Sequence, residues 1–293
     1  MRWQGPATLP ANSRLVSDSN QAALAGIRVV TMCPNVPGPV AAARLRDLGA
    51  SVVTIEPPTG DPLEAIAAEW YADLHAGMTV ERVDLKSDAG RGTLAAHLAA
   101  SDVFLTSSRP SALERLGLGW DVLHERYPRL IQIAIVGELP PFAERAGHDL
   151  TYVADFGLID PPAMPPTLLA DLAGSERAVT ATLAALFARH RDGMGTHTYV
   201  ALRDAAEAFA MPRKHGLTRP GGRLAGTFPG YRCYATLDGW VAVAALEPHF
   251  WNRMRDLLGG SDDRDFAKAF AAADNATWTA WAQEHDMPLA AFV

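Results

Sequence analysis

The most constraining feature of this chain is a strand–helix–strand pattern near its beginning. Ile27-Arg-Val-Val30 is a short apolar run with β-branched residues, which reads as a strand. Pro37-Gly38-Pro39 breaks the chain, and Val40, Ala41, Leu45 and Leu48 then share one face of a helix that Gly49 terminates. Ser51-Val-Val-Thr-Ile55 is a second strand, closed by Pro57-Pro58. Two strands and a helix in about 30 residues leave room only for a right-handed crossover between parallel strands. A parallel sheet needs cover on both faces, so the chain must supply helices for each side.

The pattern continues. Helical spacing is predicted over 91–100, 112–116, 120–126, 149–156 and 175–190, and strands at 103–105 and 130–136. In the long helix, Val179, Leu183, Leu186 and Phe187 are predicted to face inward. Residues 199–211 are Ala-rich and predicted helical, and 212–230 are Gly/Pro/Arg-rich and read as a loop. Tyr231–Thr236 and Trp240–Ala245 flank Asp238-Gly239, the clearest hairpin signal in the chain. Helices are predicted at 250–258 and 278–284. The expected architecture is α/β: a doubly wound, Rossmann-like parallel-sheet domain over 24–190, a linker helix and loop over 191–230, and a smaller α+β domain over 231–293. Residues 1–23 read as a disordered polar tail without the apolar stretch of a signal peptide.

Composition excludes several classes. With 48% hydrophobic and 20% charged residues, the 293-residue chain is globular rather than disordered. A formal charge of −7 gives no bulk support for coating a nucleic acid. No apolar run is long enough for a bilayer; the best, 178–188, is interrupted by Thr180 and Thr182 and closed by Arg189. Two cysteines, Cys33 and Cys233, make neither a disulfide framework nor a CxxC metal site, and the expected location is the cytoplasm. His190 and His197 do not form a metal pattern, so no metal is expected.

The usual nucleotide fingerprints and the GxSxG elbow are missing. Four other segments carry chemistry. In Ser107-Ser108-Arg109, followed by Arg115, two guanidiniums sit just beyond a strand end, where open α/β sheets place ligands and where phosphates could be held. Gly147-His148-Asp149 precedes a helix; free N–H groups there could stabilise an oxyanion, and His148 could be a base, or Asp149 could simply cap the helix while His148 packs. Asp171 precedes the long helix as an N-cap or a catalytic carboxylate. Glu247-Pro248 follows the hairpin and could simply begin a helix.

These segments occur together and in one order. LAGIRVV (24–30), PGPVAAARLRDLGASVVTIEPP (37–58), VDLKSDAGR (83–91), SSRPSALERLGLG (107–119), AGHDLTY (146–152), LLADLAG (168–174) and YRCYATLDGWVAVAALEPHF (231–250) resemble the family III (CaiB/BaiF) CoA-transferases. The Gly-His-Asp motif and the Ala244–Phe250 segment are most similar to the α-methylacyl-CoA racemase branch. The resemblance implies a C-terminally shortened version of the family fold and an interlocked homodimer. It implies a racemase or epimerase acting on a 2-methylacyl-CoA thioester through an enolate. His148 and Asp171 would be the two acid/base residues, Glu247 would orient His148, and the backbone N–H of Asp149 would face the thioester oxygen. CoA contacts are implied for Val83, Asp84, Leu85, Lys86, Ser107, Ser108, Arg109, Arg115, Gly147, Leu150, Thr151 and Tyr152. CoA enters as part of the substrate, with no tightly bound cofactor.

Two segments depart from the family pattern: Leu74–Glu81 lacks the usual Asn and Arg, and Glu138–Arg145 replaces a Gly/Gln-rich loop. Two alternatives therefore stay open. One is a CoA-transferase in which Asp171 forms an acyl anhydride; the other is an acyl-thioester-binding relative without turnover.

Overall fold

The computed structural model describes residues 23–293. The expected tail over 1–23 therefore lies, apart from its last residue, outside the described residues. The chain divides into two compact units, one reaching to Ala210 and the other running from Met211 to Val293.

The first unit is built on six parallel strands: β1 (Arg28–Thr31), β2 (Ser51–Glu56), β3 (Thr79–Arg82), β4 (Val103–Thr106), β5 (Ile131–Val136) and β6 (His197–Ala201). They lie in the order β3-β2-β1-β4-β5-β6, so chain order reverses between β1 and β4. In such sheets ligands bind in the crevice beyond the carboxyl ends of the strands at that reversal. The connections carry α1 (Pro37–Asp47), α2 (Pro62–Ile66), α3 (Ala68–His75), α4 (Asp88–Ala100), α5 (Pro110–Arg115), α6 (Trp120–Arg126), α7 (Asp149–Asp155) and α8 (Leu169–Asp192), and α9 (Leu202–Phe209) follows β6.

Strand alternation explains the layers. Val29, Leu105, Ile131, Ile133 and Ile135 point to the face covered by α1 and α8. Val30, Ile55 and Phe104 point to the opposite face, against Leu94 and Leu98 of α4, Leu113 of α5 and Leu123 of α6. All residues of β4 and β5 are buried, as a sheet covered on both sides requires.

Four sequence expectations change. Pro37-Gly38-Pro39 does not precede α1 but forms its first turn, where a proline's missing N–H costs nothing. The long helix starts six residues earlier than expected, which places Asp171 inside its first turn. Its predicted stripe is only half inward: Val179 is buried and Leu186 packs against the core, but Phe187 is 76% exposed and Leu183 is exposed. Small residues turn inward instead, among them Ala170, Gly174, Ser175, Ala178, Thr182 and Ala185. The reason is close helix packing: a Cβ on Gly174 would come within 2.2 Å of Leu202, and Ser175 Oγ donates to Pro37 O at 2.8 Å. Finally, 199–211 is not one helix. Residues 197–201 pair with β5 as the sixth strand, and α9 belongs to the first unit rather than to a linker. The edge strand is short, it is buried only at its last two residues, and the Ala-rich sequence that follows reads as a continuous helix.

The second unit opens with one helical turn, α10 (Met211–Lys214). An antiparallel sheet follows, β7 (Tyr231–Ala235), β8 (Trp240–Ala244) and β9 (Leu289–Phe292), in that order. The predicted hairpin is in place, with Tyr231 opposite Ala244 and Ala235 opposite Trp240. Helices α11 (Pro248–Leu258), α12 (Asp263–Phe270) and α13 (Asn275–Glu284) bury Met254, Phe266, Phe270 and Trp278 against Tyr234, Val241 and Val243. Among the described residues no helix is long and apolar enough to cross a membrane.

The inward and outward faces predict contrasting costs. Leu45→Ala, which empties a fully buried position between α1 and the sheet, should destabilise by about 2–5 kcal/mol in denaturant unfolding. Phe187→Ala should stay within about 0.5 kcal/mol of the parent. Equal losses would contradict the assignment of the α8 faces.

Candidate active site

A cavity of 410 Å³ opens at the carboxyl ends of β1, β4 and β5. The turn after β1 contributes Asn35, the turn after β4 contributes Ser107, Ser108 and Arg109, and the end of β5 contributes Val136 and Gly137. His148 and Asp171 line the same cavity from the starts of α7 and α8. These two residues, 23 apart in sequence, are thus brought into one pocket.

The link between the two helix starts is Asp149. Its Oδ1 accepts from the N–H of Ala170 at 2.6 Å and of Asp171 at 3.0 Å. The α8 N-terminus has no cap from its own flank, so these otherwise orphaned donors are satisfied by a buried carboxylate from another helix. Asp149 therefore does not cap its own helix, as its position before α7 suggested. His148 holds that N-cap position with extended backbone, and its N–H donates to Thr151 Oγ1 at 3.1 Å. Helix α7 begins at Asp149, so the Asp149 N–H has no intrahelical acceptor.

Burial pushes the Asp171 carboxyl up to about 7, and the like charge of Asp149 adds to the rise. Tyr152 is raised as well, by burial first and then by the Asp171 and Glu138 carboxylates. The Tyr152 ring wedges beside two glycines: a Cβ at Gly147 would lie 2.4 Å from its hydroxyl oxygen, and one at Gly137 2.1 Å. Gly147 is thus required by a close approach, not by turn geometry.

The expected ligand contacts divide. Ser107, Ser108, Arg109, Gly147 and Tyr152 line the cavity. Leu150 and Thr151 sit on α7 and are exposed. Arg115 is exposed at the end of α5. Val83 is buried, while Asp84, Leu85 and Lys86 form the turn from β3 into α4; Asp84 Oδ1 accepts from Lys86 N–H at 3.0 Å. Glu247 lies in the second unit, at the N-cap of α11, where its side chain makes no capping bond.

Two polar lining residues were not anticipated from the sequence. Arg145 reaches the cavity with its guanidinium over the Phe142 ring at 3.9 Å and Glu138 at 3.7 Å. Asn35 has φ of 67°, and its N–H donates to both oxygens of Asp61 at 3.0 Å. Arg145 stands three residues before His148, so proximity to the motif was its only sequence signal. Asn35, in the turn after the first strand, was visible only as a residue able to adopt positive φ. Cys33, just after β1, is buried and pushed up to about 12 by burial, which makes it an inert thiol.

The Asp171 environment has a stability consequence with a defined sign. Its folded pKa lies above the unfolded value of 3.8, so the folded state holds the proton more tightly. Stability contributed by this group is complete below pH 3.8 and falls as pH rises toward about 7. Asp171→Asn should therefore match the parent at pH 3.5 and exceed it at pH 8, by up to about 4 kcal/mol. Thermal unfolding at the two pH values measures this. Asp149→Asn, which keeps an acceptor for α8 but removes the like charge, should lower the Asp171 pKa without restoring 3.8, as followed by carboxyl carbon NMR.

The comparisons with known proteins agree with this geometry. The sequence model of CoA-transferase family III matches residues 24–292. Human α-methylacyl-CoA racemase is 30% identical over 87% of this chain and 74% of its own length. The probable fatty acyl-CoA transferase Rv3272 of Mycobacterium tuberculosis is 29% identical over 84% of this chain and 72% of its own. Cinnamoyl-CoA:phenyllactate CoA-transferase of Clostridium sporogenes is 27% identical, covering 84% and 67%. A crystal structure of Rv3272 superposes with a TM-score of 0.76 at 26% identity, covering 90% of this chain and 83% of that one. The doubly wound sheet, the pocket at its reversal point and the match along nearly the whole described sequence lead to one conclusion: the chain belongs to CoA-transferase family III.

Proposed function

We propose that this protein inverts the α-carbon of a 2-methylacyl-CoA thioester by proton transfer between His148 and Asp171. The observation that carries the reading is a carboxyl group brought to about 7 in the same cavity as an imidazole. A reversible two-base reaction needs two groups of similar proton affinity, and ordinary Asp and His side chains differ by more than two pKa units. Burial moves the Asp171 carboxyl out of the ordinary carboxylate range and upward to about 7.

In this reading one group takes the α-proton and its electron pair delocalises into the thioester as an enolate. The other group returns a proton to the opposite face, and the two protonation states have exchanged. The Asp149 N–H at the start of α7 donates to the enolate oxygen, where charge develops. Arg109, Arg115 and Lys86 hold the CoA phosphates. CoA enters and leaves as part of the substrate, its thioester bond unbroken, with no tightly bound cofactor.

A second reading, transfer of CoA between carboxylic acids through an anhydride on Asp171, is favoured by relatives named as CoA-transferases. Incubation of a 2-methylacyl-CoA in D₂O separates the two. The racemase reading expects deuterium at the α-carbon and loss of optical purity with no acceptor acid present. His148→Ala and Asp171→Asn should each lower the inversion rate by about 10²–10⁴-fold. Formation of a new CoA ester only when an acceptor acid is added, without α-exchange, would replace this reading with the second.

A further inference from the structure

A second cavity, of 340 Å³, lies on the sheet face that carries Gln132 and Ala134 of β5 and His197 and Tyr199 of β6. It meets the first only at Ser108, which lines both. Gln132 and His197 are register partners, side by side on that face. Gln132 is 1% exposed, and its Nε2 donates to Leu118 O at 3.4 Å while its Oε1 has no partner. His197 Nε2 is also buried without a partner. Buried polar atoms in folded proteins are normally paired, and each orphan carries a desolvation cost. Two residues that carry such atoms line one cavity from adjacent strands, and together they describe half of a hydrogen-bonding site.

The walls define the ligand. Trp120 stacks with His197 at 5.6 Å between centroids, and Tyr199 meets His197 edge-on at 4.4 Å, giving a preformed aromatic wall. Burial lowers His197, with Asp121 opposing, so burial favours the neutral ring. Glu114 and Asp121 line the cavity, and no lysine or arginine does among the described residues. An anion, including any phosphate of CoA, would meet only like charge. A flat group that offers N–H donors meets an acceptor oxygen, an aromatic wall and favourable charge.

We propose that this cavity is a binding site, separate from the thioester site, for a planar aromatic or heteroaromatic group bearing N–H donors and carrying neutral or positive charge.

The test uses the full chain and three isosteric probes: benzamidine, benzamide and benzoate. Binding is read from the His197 ring resonances by NMR, assigned with a His197→Gln variant. Benzamidine and benzamide should shift these signals saturably, and benzoate should bind at least about tenfold more weakly. Asp121→Asn should weaken benzamidine by about threefold or more and leave benzamide unchanged, because only the former feels the charge. Gln132→Met should weaken both by about fivefold or more. Trp120→Leu, at a half-buried position, makes the same loss testable should Gln132→Met not fold. Asp171→Asn should leave both affinities unchanged, which keeps the result apart from any binding in the first cavity. Benzoate binding as tightly as benzamidine, no shift with any probe, or unchanged affinity in the Gln132 and Trp120 variants would each overturn the proposal.

Discussion

The Asp149 carboxylate is the interaction on which the site depends. It is buried, it belongs to one helix start, and it accepts the first free N–H groups of another. Without it the α8 N-terminus would present unsatisfied donors inside the protein, and the hydrogen bonds that tie α7 to α8 would be lost. Because His148 precedes Asp149 and Asp171 is one of the residues it binds, the same contact that satisfies the backbone brings imidazole and carboxyl to one cavity. It also leaves two carboxylates close together in a buried place, which is part of why Asp171 holds its proton so strongly.

The sheet supplies the frame for that contact. Chain order reverses between β1 and β4, and the turns that leave their carboxyl ends diverge. Asn35, Ser107, Ser108 and Arg109 line the resulting crevice. The β1 turn is held open by Asp61, which takes the Asn35 N–H and caps α2 through the Leu63 N–H at 2.8 Å. Close packing of α8 on α1 and α9 through small side chains then sets where the α8 N-terminus points. Structure and chemistry are linked here through residues such as Gly174 and Ser175, which touch no substrate in the proposed reaction.

Much of this was legible in the residues. The apolar, β-branched runs of β1, β2 and β5, the Asp238-Gly239 hairpin and the ordered series of family segments all follow from local rules, because each reports on side chains a few positions apart. The cavity-lining residues His148, Asp171, Ser107, Ser108, Arg109, Gly147 and Tyr152 were visible for a related reason: short motifs cluster at strand and helix ends. The sixth strand was hidden by its short length and by the Ala-rich segment after it, and the inward face of α8 was only half anticipated: Val179 and Leu186 turn inward, Leu183 and Phe187 do not. Hydrophobicity points to bulky residues, whereas a closely packed helix buries its small ones.

By itself, then, the sequence determined the parallel α/β class, the first strand–helix–strand crossover, the family and the short list of groups able to do chemistry. These depend on local periodicity and on residue type. Only the tertiary structure decided that Asp149 caps a helix other than its own, that His148 and Asp171 share a cavity, and that an aspartate holds its proton to about 7. It also revealed the unpartnered oxygen of Gln132 beside His197. Those outcomes depend on burial and on contacts between residues distant in the chain, and neither quantity exists until the layers have closed around them.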